Sequence, residues 1–268
     1  MIHAIEEQLS INNVKHLSKC VVDSDQGKLF LKTGESELVV GELESLKAIQ
    51  STHTILCPKP YGIVKVNGTN ALVTSFIEFQ HGKDWAKAGK NLAKMHAKNV
   101  DCIQERKRLS SWISSNSAES DESDYGDHNG TDQFGFHVPT CCGRIPQIND
   151  WAEDWTVSQF SFYRFIIVPL QKFFICNRLK PQLDRLIENR NAKELVELSE
   201  LLYRKTEKLL ETRKCIAPSL VHGDLWGGNW SMCNANSDTM EPIVFDPSAS
   251  YSDPEFEFGI MKMFAAAL

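Results

Sequence analysis

Ten residues, 220–229 (LVHGDLWGGN), limit the fold of this chain more tightly than any other stretch. An apolar run reads as a strand and then opens into a loop carrying His222, Asp224 and Asn229. Two short strands, 229–233 and 243–245, are expected around a polar turn at 234–239. Asp246 follows the second strand, across a hairpin from Asn229, so three oxygen-bearing side chains on two consecutive loops converge. The plain alternative is that Asp224 and Asn229 cap turns and that Asp246 opens a turn at Pro247.

The first hundred residues read as a small mixed unit. Residues 28–32 (KLFLK) alternate apolar and polar after Gly27, a strand pattern with Lys32 at its end. Leu43, Leu46 and Ile49 recur at helical spacing over 41–50, with Glu42 and Glu44 in the first turn where carboxylates suit the helix dipole. Pro58 and Pro60 break the chain, and strands at 62–66 and 71–76 follow, turned by Asn67-Gly68. After a connector at 76–82, Trp85, Ala88, Leu92 and Met95 mark one apolar stripe of a helix over 85–96. His96 is read as a core or capping histidine.

Residues 110–132 are rich in Ser, Asp, Glu, Asn and Gly, too apolar-poor to offset their ordering entropy, which predicts a mobile acidic loop. Residues 151–213 are largely helical in pattern, although Pro169 and Pro181 must start, kink or break a helix. Trp151 and Trp155, four apart, are expected on one helix face. Helical pattern resumes at Glu255 and the chain stops inside it, which suggests truncation. The fold class expected is α+β and bilobal: residues 1–78 form a small antiparallel-sheet lobe with one main helix, and 79–268 a larger, mostly helical lobe.

Composition excludes several functions. With 42% hydrophobic and 24% charged residues the chain has ordinary globular usage. A net charge of -6 supplies no basic field for a phosphodiester backbone, so no nucleic acid partner is expected. Residues 1–10 read as an amphipathic helix and not as a signal peptide. Arg164, Pro169, Gln171 and Lys172 interrupt the apolar stretch 160–176, well short of the roughly 18 apolar residues a spanning helix needs. A cytoplasmic protein with no membrane partner follows, and its eight cysteines, without metal-ligand spacing, are expected as thiols.

The spacing of His222, Asp224 and Asn229 is that of the kinase catalytic loop, H-R-D-L-x-x-x-N. Phosphoryl transfer needs a carboxylate that orients the attacking hydroxyl and accepts its proton, and an oxygen ligand five residues on for magnesium. Asp224 and Asn229 match those needs, Asp246 matches the second magnesium ligand, and His222 is read as a brace for the loop. Lys32 matches the strand lysine that contacts nucleotide phosphates. Glu42 is its expected helix partner, with Glu44 as the alternative.

Residues 222–229 (HGDLWGGN), 245–248 (FDPS) and 255–257 (EFE) resemble the signature segments of the fructosamine-3-kinase, or ketosamine-3-kinase, family. So do 41–46 (GELESL), 58–60 (PKP), 134–136 (FGF), 140–143 (TCCG) and 146–151 (PQINDW). The resemblance spans most of the chain. It implies a protein-kinase-like fold, related to aminoglycoside and choline kinases. The implied activity is ATP- and Mg2+-dependent phosphorylation of the 3-hydroxyl of ketoamines, free or on protein lysines, whose unstable product leads to deglycation. It makes Asp224 the general base, Asn229 and Asp246 the metal ligands, and Lys32 with Glu42 the nucleotide site. Trp226, beside the base, would stack on substrate.

The chain departs from the family in three places. The segment before Lys32 holds one glycine, Gly27, where the family has a glycine-rich nucleotide loop, and it is several residues shorter. Residues 161–176 interrupt a family helix, and the resemblance leads one to expect further helices beyond residue 268. Cys20 falls near a redox-sensitive loop cysteine of some relatives, which leaves a monomer or a redox-linked homodimer open. For Cys20 a small buried apolar role is the simpler reading, and for Cys141-Cys142 a packing role. The alternatives are a pseudokinase that binds nucleotide without turnover, a kinase of another small alcohol, and a metal hydrolase built on His222 and Asp224.

Overall fold

The computed structural model describes residues 1–113, 130–153, 173–190, 194–210, 216–236 and 239–263. Helix α1 (Ile2–Leu9) leads into strands β1 (Lys15–Ser18), β2 (Val21–Asp23) and β3 (Leu29–Gly34), helix α2 (Ser36–Thr52), and strands β4 (Pro60–Val66) and β5 (Thr69–Ser75). The strands form one antiparallel sheet in the order β1-β2-β3-β5-β4. Leu29, Leu31, Ala71 and Val73 share a core with Ile5 of α1, while Leu72 packs with Val39 and Leu46 of α2 on the other face. A strand alternates faces with period two, so Lys32, paired with Leu72, belongs to the α2 face. Val39, Glu42 and Leu46 lie on one helix stripe, which turns Glu42 toward that same face.

The place of Lys32 in its strand and the start of the following helix differ from expectation. Lys32 lies inside β3, since pairing with β5 continues to Gly34. Helix α2 begins at Ser36, which moves Glu42 out of the first turn, where Glu37 sits instead. Gly41 stands inside the helix because another backbone crosses there: a Cβ would lie 2.6 Å from the Pro139 carbonyl oxygen and 3.0 Å from Thr140 Cα. Pro60 opens β4, a strand position that tolerates the missing N–H. The hairpin at Asn67 (φ 50°) and Gly68 (φ 79°) forms as its residues require.

Next come β6 (Phe79–Gln80), the 29-residue α3 (Trp85–Ile113), β7 (Thr140–Cys142), β8 (Ile145–Gln147), and a π-helical turn (Phe174–Leu179) that runs into α4 (Lys180–Arg190). Helix α5 (Glu194–Leu210), β9 (Ser219–Val221), β10 (Trp230–Asn236), β11 (Thr239–Val244), β12 (Ser250–Ser252) and α6 (Phe256–Met263) complete the order. Strands β11-β10-β6, β12-β9 and β7-β8 form three small sheets. Leu92 and Met95 of α3 pack with Leu220, Leu225, Trp230 and Val244, and Ile49 of α2 joins this same core. Ser45 adds a polar tie: its hydroxyl donates to the Gly41 carbonyl at 2.7 Å and accepts the Ala249 N–H at 3.0 Å.

Trp151 is not helical. Its neighbour Ala152 exchanges backbone hydrogen bonds with Phe134, which holds the segment extended, and the Trp151 ring packs 6.1 Å from Tyr251. Pro181 does sit in a helix. It has no N–H for the carbonyl four residues back, and that carbonyl, of Asn177, accepts Arg178 Nη1 instead, at 3.2 Å. At the end of the acidic stretch Asn99 accepts the Thr131 N–H (2.8 Å) and donates to the carbonyls of Thr131 and Pro218 (2.9 and 2.6 Å). Residues 114–129 of that stretch, Trp155, Pro169, Cys215 and 161–172 of the expected insertion lie outside the described residues. Among the described residues no helix is long and apolar enough to cross a membrane.

Candidate active site

Strand β9 delivers His222, Gly223 and Asp224 into a loop that ends at Asn229, and β11 delivers Asp246 beside it. The loop is wound by its own backbone: the Trp226 N–H bonds the Asp224 carbonyl at 3.1 Å, the Asn229 N–H the Trp226 carbonyl at 2.9 Å. Asn229 Nδ2 donates to the Asp224 carbonyl (2.8 Å) and to Asp224 Oδ2 (3.3 Å), which leaves the amide oxygen as the atom able to ligate a cation. Trp226 is 39% exposed and its ring lies over Gly228, where a Cβ would come within 2.3 Å of it.

Lys32 Nζ lies 2.7 Å from Glu42 Oε2 and 3.0 Å from Asp246 Oδ1. Of the two glutamates considered, Glu42 is the partner; Glu44 pairs with Lys47 and His137. Burial works to lower the Lys32 pKa, but the two carboxylates outweigh it and the ammonium ends above the ordinary lysine value. Glu42 is pushed up to about 7 by burial, against the pull of Lys32. Asp246 holds a left-handed backbone, φ 56°, which few residues other than Gly, Asn and Asp adopt. These three side chains border a cleft of about 260 Å3 with Leu72, Phe79 and Phe245 on its apolar walls.

Asp224 is half-buried. Burial raises its pKa above the ordinary aspartate value, with Asp246 and Glu257 pushing the same way, while the Cys142 thiol and the Asn229 amide pull it down. The thiol donates to Asp224 Oδ1 at 3.7 Å and is itself held protonated, its pKa raised to about 11 by burial and by that carboxylate. Residue types alone did not single out this contact, because β7 reaches the loop only in three dimensions.

The loop rests on Glu257. This carboxylate, at the start of α6 and fully buried, accepts the N–H of His222 at 2.6 Å and of Gly223 at 3.0 Å. Burial would raise its pKa, yet His96 and His222 outweigh burial and leave it below the ordinary value. His96 Nε2 stands 3.5 Å from Glu257 Oε2. His222 is fully buried, and burial lowers its pKa. Its Nδ1 accepts the Asp224 N–H (3.3 Å) and its Nε2–H donates to the Phe245 carbonyl (3.0 Å), which ties the two loops together. Gly223 has φ 81°, and a Cβ there would stand 2.0 Å from the Ser248 carbonyl oxygen. Only glycine fits where the general kinase motif has arginine.

The turn at Lys19-Cys20 between β1 and β2 contains no glycine. Gly27 instead serves the turn after β2, at φ 85°, with open space around it. Among the described residues no three His, Cys, Asp or Glu side chains gather into a metal site. One amide oxygen and one carboxylate on adjacent loops make a different kind of donor set.

The fold with this site is that of the kinase-like phosphotransferases. A crystal structure from Haemophilus somnus, provisionally named a fructosamine-3-kinase, superposes with a TM-score of 0.60 over 98% of this chain and 81% of its own; at 17% identity that likeness concerns the fold alone. The sequence profile of the fructosamine kinase family matches residues 3–110 and 123–267, and the chain belongs to that family. Mouse ketosamine-3-kinase is 33% identical over 248 residues, 90% of this chain and 72% of the mouse protein. A rice chloroplastic protein-ribulosamine 3-kinase is 29% identical over 243 residues, 88% of this chain. The chain spans 56% of the length of that rice relative.

Proposed function

We propose that this chain phosphorylates the 3-hydroxyl of ketoamines, fructosamine or ribulosamine adducts free or on protein lysines, with ATP as donor, and so promotes deglycation. The observation that carries the proposal is Lys32, bonded to both Glu42 and Asp246 at the cleft wall, one loop away from Asp224. On this reading residues 1–78 are the nucleotide lobe and 79–268 the catalytic and substrate lobe of a cytoplasmic enzyme.

Lys32 is a fixed positive charge for donor phosphates, and Glu42 fixes where it points. The Asn229 amide oxygen and the Asp246 carboxylate are hard oxygen donors of the kind Mg2+ takes when substrate phosphates complete its shell. Those two oxygens would hold the ion, which would supply neutralisation of the charge on the transferred group. Asp224 orients the acceptor hydroxyl and takes its proton; its raised pKa brings it closer to the value that suits a base near neutral pH. Cys142 and Asn229, donating to separate Asp224 oxygens, hold the carboxylate in one orientation. Trp226 offers an exposed ring beside the base for the carbon face of the acceptor.

The glycine-free turn at Lys19-Cys20 favours a second reading, a pseudokinase that binds nucleotide without turnover. The test is ATP consumption by the folded protein with Mg2+ and fructose-lysine or ribulose-lysine, with choline as control. Turnover with a ketoamine and none with choline supports the kinase. Nucleotide binding with no turnover on any acceptor supports the pseudokinase. Asp224→Ala should lower turnover by about 100- to 10,000-fold while leaving ATP binding intact; near-normal turnover would defeat the assignment of the base.

A further inference from the structure

A second cavity, about 660 Å3, borders the catalytic loop at Gly223 and β7 at Cys142, with Gln147, Arg178, Phe174 and Phe256 among its walls. Two of these side chains are unusual. Gln147 is 8% exposed and its Oε1 has no hydrogen-bond partner; Arg178 is 2% exposed and its Nε has none. Buried polar atoms in folded chains are nearly always paired, so two orphans on one cavity wall mark the place where something else supplies the partners. They are also neighbours. Arg178 is clamped to the chain following Gln147, with Nη1 on the Ile148 carbonyl at 2.5 Å and Nη2 on Asn149 Oδ1 at 2.7 Å.

The remaining valences say what the partner is. Both Nη groups are engaged, by Ile148, Asn177 and Asn149, and the guanidinium stacks over the Phe173 ring at 4.6 Å. Two donors, Nε–H and the second Nη2–H, and one acceptor, Gln147 Oε1, are left. A hydroxyl answers both kinds, since its oxygen accepts while its hydrogen donates. A carboxylate would satisfy the arginine and face the glutamine oxygen with a second acceptor. No carboxylate pairs with Arg178 among the described residues, and burial lowers its pKa to about 10. The π-helical turn Phe174–Leu179 and the carbonyl released by Pro181 place the guanidinium here, and such turns gather at functional sites.

We infer that Gln147 and Arg178 form a polyol subsite that grips a chain hydroxyl of the acceptor while Asp224 addresses the hydroxyl to be phosphorylated. This rests on the ketoamine kinase reading and adds to it the residues that select a hydroxylated carbon chain. The Cys142 thiol, on the same wall and bonded to Asp224, links the subsite to the base.

The test compares a ketoamine of lysine with its analogue in which one non-reacting chain hydroxyl is replaced by hydrogen, in the wild type, Gln147→Leu and Gln147→Glu. Calorimetric binding without nucleotide is measured beside turnover. In the wild type one deoxy position should weaken acceptor binding about 10- to 100-fold. In Gln147→Leu, full substrate and deoxy analogue should bind alike, with the nucleotide KM unchanged. Gln147→Glu should raise Tm, because its carboxylate meets the unpaired guanidinium, and should weaken acceptor binding, because it fills the subsite. An equal deoxy penalty in wild type and Gln147→Leu overturns the subsite and leaves the kinase reading standing. A wild-type protein that neither binds nor phosphorylates any ketoamine overturns both.

Discussion

Replacing Glu257 by glutamine should loosen the catalytic loop without touching any group that meets substrate. The wild-type carboxylate is fully buried and takes two backbone N–H groups, from His222 and Gly223, at 2.6 and 3.0 Å. Glutamine keeps one oxygen and turns an NH2 toward the second N–H, so one charge-assisted hydrogen bond is lost and one buried donor is orphaned. Such a bond contributes about 1.5–3 kcal/mol, which sets the expected loss of stability. Alanine orphans both donors, at about 1–3 kcal/mol each, and leaves a cavity as well. A loop displaced by about 1 Å costs on the order of 100-fold in turnover, so kcat should fall further than the nucleotide KM rises. Urea unfolding and steady-state kinetics read both effects. The pH dependence gives a second check. The folded pKa of Glu257 is depressed, so its contribution is complete above the unfolded value of about 4.3 and is lost as pH falls through the lower folded value. Glu257→Gln should flatten that acid limb. A variant with wild-type midpoint, kcat and acid limb would refute the anchoring role.

Three further outcomes are expected. Gly223→Ala needs a left-handed backbone and places its Cβ 2.0 Å from the Ser248 carbonyl oxygen, so it should cost about 1–3 kcal/mol and at least roughly 100-fold in kcat; denaturation and kinetics at wild-type values would contradict the close approach. Gly41→Ala gains about 1 kcal/mol of helix propensity but meets the Pro139 backbone at 2.6 Å, so the net effect should be a lower Tm, and a raised Tm by calorimetry would show that β7 yields freely. Lys32→Met should weaken ATP binding at least about 10-fold with acceptor binding unchanged, measured by separate titrations of the two ligands.

The strand at 28–32 and the helix that starts at Trp85 were legible because alternation in KLFLK and an apolar stripe are local signals that packing reinforces, whereas β1, β2, β7 and β8 carry no such pattern. So was the meeting of Lys32 with Glu42. Strand parity and helix periodicity together place both on the face between β3 and α2. The helix was expected only from residue 41 and begins at Ser36, with Gly41 inside it where the Pro139–Thr140 backbone passes close. Trp151 was read as helical from its spacing to Trp155, and a backbone pairing with Phe134 overrode that spacing. Glu257 was visible only as part of the EFE segment. Nothing local marks a buried carboxylate whose partners are main-chain N–H groups 34 and 35 residues earlier. Cys142 and the Gln147–Arg178 pair were hidden for a similar reason, since β7, β8 and the π-helical turn meet the loop only through tertiary contact.

Helix α2 is nailed down. Ser45 joins it to the Ala249 N–H, Gly41 lets the Pro139–Thr140 backbone seat against it, and Ile49 is embedded in the core around Met95. In kinases that are switched, the helix bearing the lysine's glutamate swings out and the ion pair parts. Here such a swing would strip a buried hydroxyl and an N–H of their partners and open a packed core at the same moment. On the kinase reading the consequence is a joint without a clutch: parting Lys32 from Glu42 by moving this helix would break all three attachments together.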